Sequence, residues 1–394
     1  MKPLLLSFYA DDFTGATDAL EVLATGGIEA ALFTSPPTAS ALQALPGLRA
    51  FGVAGRSRSW TPAQMRQSLP PMFRAIAALG PQVLHYKVCS TFDSSPAIGS
   101  IGSVIEIGRE LFNRSIPILA GAPDLGRYCV FGNLFARYGA AGPVYRIDRH
   151  PSMSRHPVTP MDEADLRVHL SRQTACSIGL LSVAELHDAR RYRSLLSAFD
   201  AVLIDIVAEE QCPGIGALIG HTVAEQPTFV IGSSGVEAAL CAHWNRAGHR
   251  ALVAPAAPAA GPVLVVCGSC SPVTREQRTR SVTDGFVQVE LDLSHGTRAA
   301  AAADAALGQG KSVVLAVSET AAAAARTPTA SPNVLKRALK KAVRFERTVS
   351  GRSSRCSSHA APRTSRNMRS RRRKPSRSPY FSSFTVWVTP GKTR

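Results

Sequence analysis

The 394-residue sequence predicts an α/β protein of two domains with mainly parallel sheets. Three observations carry this. Short apolar runs of strand length alternate with stretches of helical apolar spacing from residue 3 to about residue 317. Several of these runs end in loops rich in Gly, Ser, Asp or Arg, as at the carboxyl edge of an open sheet. A Pro/Ala segment, 254–262, interrupts the alternation, which then restarts. The expected division is a first domain over 1–250, a linker over 251–262, a partial second domain over 263–330 and a basic tail over 331–394.

The first run, Leu4 to Tyr9, is long enough for one buried strand and stops at two carboxylates, Asp11 and Asp12. Thr14, Gly15 and Thr17 follow, with Thr14 or Thr17 as the expected cap of a helix that buries Ala16, Leu20, Leu23 and Ala24. Adjacent carboxylates there can face one ligand, with first-turn amides available for anionic groups, or can simply cap the helix.

Strands are expected at 29–34 and 49–53, the latter ending in Gly55-Arg56-Ser57-Arg58-Ser59. Arg56 and Arg58 offer a fork for a carboxylate, or form a solvated loop. Thr61 caps a helix over 63–79, which Pro70 and Pro71 are expected to kink or split. A strand over 83–88 carries Lys87, and Ser90, Thr91, Asp93, Ser94 and Ser95 then crowd one loop before a helix over 101–112. A Lys, hydroxyls and a carboxylate at one strand end can hold a polyhydroxylated anion.

After a strand at 115–120 comes a Gly-rich passage to Tyr138, then the loop 145–161, with Arg146, Arg149, His150, Arg155 and His156, stiff and polar beyond the needs of a connection. A helix begins in 162–171, and 177–181, 201–207 and 228–231 read as strands. The last ends in the small-residue turn Gly232 to Gly235. Beyond the linker, strands are expected at 263–266, 287–291 and 312–317, with a Gly268-Ser269-Cys270-Ser271 turn and a helix from Thr274 after the first.

The net charge of +17 points to nucleic acid until it is located. Of the 45 Lys and Arg, 18 lie in 331–394, with one of the 28 acidic residues, so the first 330 residues carry 27 of each sign. Nucleic-acid binding therefore rests on the tail alone and is disfavoured. The Arg/Ser-rich tail cannot bury a core and is expected to be disordered. The eight scattered cysteines fit reduced thiols in the cytoplasm, and the single CxxC lacks the second half of a zinc site, so no metal ligands are expected. Pro255, Pro258 and Pro262 disqualify the longest uncharged run as a membrane span.

Five segments taken together, ADDFTGATDAL (10–20), YKVCSTFDSSPAIGSIG (86–102), RHPVTPM (155–161), GSSGVEAAL (232–240) and CGSCSPVTREQ (267–277), resemble the four-carbon acid sugar kinase family, its 3-oxo-tetronate branch most. The resemblance implies an N-terminal sugar-acid domain and a C-terminal ATP domain, with Mg²⁺ as the second cofactor and transfer of a phosphoryl group to the substrate's terminal hydroxyl. It places Asp11, Asp12, Lys87, Ser90, Thr91 and Asp93 around the sugar acid and Gly268, Ser269 and Ser271 against ATP. Asp12 is expected to accept the hydroxyl proton beside Lys87, and Arg56 or Arg58 to bind the substrate carboxylate. Ser95 and Ser100 depart from the Thr and Asn more frequent in the family.

The larger departure is C-terminal: the family's GGDTSG-like second ATP turn and closing Gly-rich segment do not occur, which leaves the ATP domain incomplete and matches either a basic extension or a reading-frame change. A catalytically impaired sugar-acid-binding remnant and a threonate or erythronate kinase are the competing readings. The expected partner is a small sugar acid, not a membrane, and homo-oligomerisation is left open.

Overall fold

The computed structural model describes residues 3–139, 141–220, 227–246, 261–267, 272–291, 296–317 and 385–387. Two compact units divide inside the Pro/Ala segment, at Pro255 and Ala256.

In the first unit, β1 (Leu6–Ala10), α1 (Phe13–Thr25), β2 (Ala30–Phe33), α2 (Ala39–Gln43) and β3 (Ala50–Ala54) come first. Then follow α3 (Pro62–Ala77), β4 (Val83–Lys87), α4 (Ile101–Phe112), β5 (Ile116–Leu119), β6 (Arg127–Val130), β7 (Asn133–Arg137) and β8 (Val144–Arg146). The unit finishes with α5 (Leu166–Ser171), β9 (Ile178–Leu181), α6 (Ala189–Ala198), β10 (Ala201–Ile204), α7 (Cys212–Gly220), β11 (Thr228–Gly232) and α8 (Gly235–Arg246). Eight strands form one sheet in the order β2-β3-β1-β4-β11-β5-β10-β9, with every recorded pairing parallel.

Successive residues of β1 feed opposite faces: Phe8 and Ala10 join one core cluster, Tyr9 the other. A strand covered on both sides must be apolar throughout, which is why the first run reads as continuous rather than alternating. Chain order reverses at β1, whose neighbours are β3 and β4, so the crevice beyond their carboxyl ends is the switch point where such sheets bind ligands.

Two local expectations, the cap of α1 and a split in α3, are corrected, and one passage without an assigned element gains one. Asp12, not Thr14 or Thr17, caps α1: its Oδ1 accepts from Gly15 N at 2.6 Å. The helix α3 runs unbroken through Pro70 and Pro71. Its face of Met65, Leu69, Phe73 and Ile76 is buried, while Arg66 and Gln67, whose carbonyls lose donors to the prolines, are exposed to water. The Gly-rich passage before Tyr138 is a hairpin, and β6-β7-β8 form a small antiparallel sheet. Asp205, just past β10, pins its turn by accepting from Phe131 N and Gly132 N at 2.6 and 3.0 Å.

The second unit contains β12 (Leu264–Cys267), α9 (Pro272–Thr283), β13 (Val287–Leu291), α10 (Gly296–Gly308) and β14 (Val313–Val317). Its sheet runs β13-β14-β12, parallel, with β15 (Thr385–Trp387) antiparallel on β12. No strand was expected in the tail, and β15 falls on one of its few β-branched and aromatic stretches, Thr-Val-Trp-Val. The rest of the tail, and the expected ATP contacts Gly268, Ser269 and Ser271, lie outside the described residues. Among the described residues no helix is long and apolar enough to cross a membrane.

Candidate active site

The residues at the switch point come from β1, β4 and the loops after β3 and β4. Asp11 N donates to Lys87 O at 2.9 Å and Arg58 N to Asp11 O at 3.1 Å, so the backbone itself clamps the three segments together. Gly99, at φ 62°, closes the loop after β4 by donating its N–H to Trp60 O at 2.8 Å; a Cβ there would sit 2.6 Å from Arg58 O.

Arg58 is engaged by the protein's own carboxylates. Its Nε and Nη2 donate to Asp11 Oδ2 and Oδ1 at 3.0 and 2.8 Å, and Nη1 meets Asp12 Oδ2 at 2.7 Å. Burial disfavours the Arg58 charge, but Asp11 and Asp12 hold the guanidinium above its ordinary range. Burial likewise leaves the Asp11 carboxyl above its ordinary range, Arg58 pulling it back only in part; a bidentate guanidinium that cannot lose its proton keeps this an ion pair. Arg56 is exposed, with its guanidinium 5.9 Å from the Trp60 ring centroid. The fork read from the sequence is thus split: Arg58 serves the protein's own carboxylates and Arg56 lies over an indole.

Lys87 is buried, 1% exposed, and its Nζ meets Asp18 Oδ2 at 3.1 Å and donates to Val88 O at 3.0 Å. Burial depresses its ammonium, and Asp18 followed by Glu237 more than offset this, leaving it above the usual value. A Cβ on Gly15 would lie 2.7 Å from Asp12 Oδ1 and 3.2 Å from Lys87 Nζ, so the glycine makes room for both. Beneath Lys87 on the same face of β4, His85 Nδ1 and Glu237 Oε1 are 2.6 Å apart, both side chains fully buried. His85 Nε2–H donates to Gly232 O at 3.1 Å, tying β4 to β11.

The loop after β4 is buried at Ser90, Thr91, Asp93 and Ser94. Phe92 holds φ 57°, a conformation a bulky residue adopts only where the surroundings impose it. Thr91 Oγ1 donates to Asp93 Oδ1 at 2.6 Å, and Thr159 Oγ1 to Asp93 Oδ2 at 3.1 Å, which brings the 145–161 loop into the site. Burial works against the Asp93 charge, yet Arg58, Thr91, His156 and Thr159 hold its carboxyl below the usual range.

The structure therefore gathers Asp11, Asp12, Arg58, Lys87 and the Ser90 to Asp93 loop at one end of the sheet, and leaves Arg56 outside the ion-pair cluster. Asp18 and Thr159 are additions. Asp18 was legible as the residue three after Gly15 on the same helix face; Thr159 belongs to a loop flagged only for stiffness and polarity. Among the described residues no group of three or more His, Cys, Asp or Glu could hold a metal ion. The charges of Asp11, Asp12 and Asp18 are met by Arg58 and Lys87. That donor set fits a Mg²⁺ ion carried on a nucleotide's phosphates better than one caged by protein.

Residues 6–240 match the family model of the sugar-binding N-terminal domain. A 3-oxo-isoapionate kinase of Paraburkholderia graminis is 45% identical over 79% of this chain and 69% of its own. A 3-oxo-tetronate kinase of Cupriavidus necator is 32% identical over 79% of this chain and 72% of its own. A crystal structure from Salmonella typhimurium LT2 shares the fold, with a TM-score of 0.65 and 22% identity over 88% of this chain and 83% of that one. With five motifs in order, a parallel sheet whose strands β1, β4 and β11 run into three of them, and these relatives, the chain belongs to the family of sugar-acid kinases built on the sugar-binding N-terminal domain.

Proposed function

We propose that the protein phosphorylates the terminal hydroxyl of a 3-oxo sugar acid with ATP, the acid bound by the first unit and the nucleotide by the second. The observation that carries this is the meeting of Asp12 and Lys87 at the switch point. Asp12 is the more accessible of the adjacent carboxylates, its side chain 30% exposed against 7% for Asp11. Each of its oxygens takes one donor, Gly15 N or Arg58, and keeps a lone pair for a substrate hydroxyl. Asp12 is then the proton acceptor, Arg58 orients it, and Lys87 sets a positive charge where the transferred group's charge develops. Mg²⁺ on the ATP phosphates adds charge neutralisation when bound. Similarity favours 3-oxo-isoapionate over 3-oxo-tetronate as the acid, at 45% against 32% identity; threonate and erythronate are the further candidates.

A second reading, a sugar-acid-binding chain impaired in transfer, is favoured by one observation: no GGDTSG-like turn follows Val317. Labelled-ATP transfer to the four acids, by this chain and by a chimera that takes its sequence after residue 317 from the P. graminis kinase, separates the two. Asp12→Asn in the chimera should lower turnover about a hundredfold with sugar-acid affinity nearly unchanged. Normal turnover by Asp12→Asn, or transfer to none of the four acids by either chain, defeats the proposal.

A further inference from the structure

A sugar acid needs a cation for its carboxylate, and the cations inside the cluster are spent, Arg58 on Asp11 and Asp12 and Lys87 on Asp18, while Arg56 lies outside it over Trp60. Arg127 is not spent. It opens β6, and its backbone exchanges hydrogen bonds with Ala122 just past the carboxyl end of β5, on the sheet edge that carries Asp11 and Lys87. Of five guanidinium donors, Nη1 reaches Leu125 O at 2.5 Å, while Nε is buried without a partner. Among the described residues no carboxylate forms an ion pair with it.

Asp18 of the site and Cys89, between Lys87 and the Ser90 to Asp93 loop, lie within its electrostatic reach, as does Arg137. The Arg137 guanidinium packs beside Gly126, where a Cβ would lie 3.3 Å from its Nε, and Nη2 donates to Tyr128 Oη at 3.0 Å. Two arginines on one hairpin, neither ion-paired to a carboxylate among the described residues, leave positive charge there for an anion. Burial holds Arg127 below its ordinary range, with the like charge of Arg137 adding to it, so a bound anion would relieve a cost the free protein bears.

We propose that Arg127, supported by Arg137, anchors the carboxylate of the sugar acid from the β6 hairpin, a planar fork meeting a planar anion. The inference rests on the sugar-acid reading above. Titration calorimetry on the full chain, with erythronate and with its carboxylate-free counterpart erythritol, tests it. Arg127→Gln should weaken erythronate binding about ten- to a hundredfold and leave erythritol binding unchanged. Arg127→Lys, which keeps the charge and loses the fork, should fall between, and carries the test if the Gln variant does not fold. Unchanged erythronate binding in these variants, or an equal loss for both ligands, overturns the anchor. A wild-type chain that binds none of the four acids better than erythritol removes the sugar-acid reading, and the anchor falls with it.

Discussion

In the first unit the eight-stranded sheet is covered on both faces by continuous clusters that include Phe73, Phe229 and Tyr86 on one side and Phe8, Leu23 and Trp244 on the other. In the second, the described sheet rests on three small clusters of Val, Leu, Ala and Cys, such as Val265, Cys267, Val314 and Ala316. Both use the same strand chemistry. Large side chains locked between layers give the first unit many contacts per residue, while Ala-rich α10 buries little area on the second. Among the described residues the sugar-binding part holds the larger core, and the second unit's strength depends on what its remaining sequence adds.

The sharpest break of this comparison is catalytic. On the second reading, transfer by the full chain runs at least about a thousandfold below that of the chimera, roughly 4 kcal/mol of barrier, while both bind sugar acid equally well in calorimetry; on the first, the two turn over alike. Equal turnover would mean that the Arg/Ser-rich segment completes the second unit after all. Next comes Phe73→Ala. Phe73 packs edge-on to Tyr9 and Tyr86 at 6.0 and 5.9 Å and beside Phe229 at 5.2 Å. Its loss should cost the first unit about 3–5 kcal/mol, read as a fall in its urea midpoint with no movement of the second unit's transition. A common shift of both transitions would show the halves to be one cooperative body.

The smallest effect is a pH limb that belongs to the first unit. Burial pushes the His169 imidazole down to about 4, against 6.5 ordinarily, and Gln173 Nε2 and Ser94 Oγ each lie 2.9 Å from its Nε2. The unfolded chain thus binds a proton that the folded chain refuses. This contribution is complete above pH 6.5 and is lost as pH falls towards 4, about 3 kcal/mol in all. His169→Gln should flatten that limb in urea unfolding of the first unit, measured pH by pH; a limb of unchanged slope assigns it to other groups, with Asp93, held low, giving way at still lower pH.

The order of the parallel strands and their helices, the sheet class, the carboxylate pair, Lys87 and the family were legible in the sequence, because strand burial, helix period and strand-end motifs are local properties of consecutive residues, while β6 to β8 and β15 were not. Even the unbroken α3 follows from a local pattern once the buried face of Met65, Leu69, Phe73 and Ile76 is weighed against two prolines on its wetter side. What only the tertiary structure decided is which charges remain free. Arg58 and Arg127 look alike in one dimension. Sheet order brings Arg58 against Asp11 and Asp12, 47 residues away from Asp11, and leaves Arg127 beside another arginine. Pairing depends on which strand ends become neighbours, and that order is set by the packing of the whole sheet, so no stretch of consecutive residues encodes it.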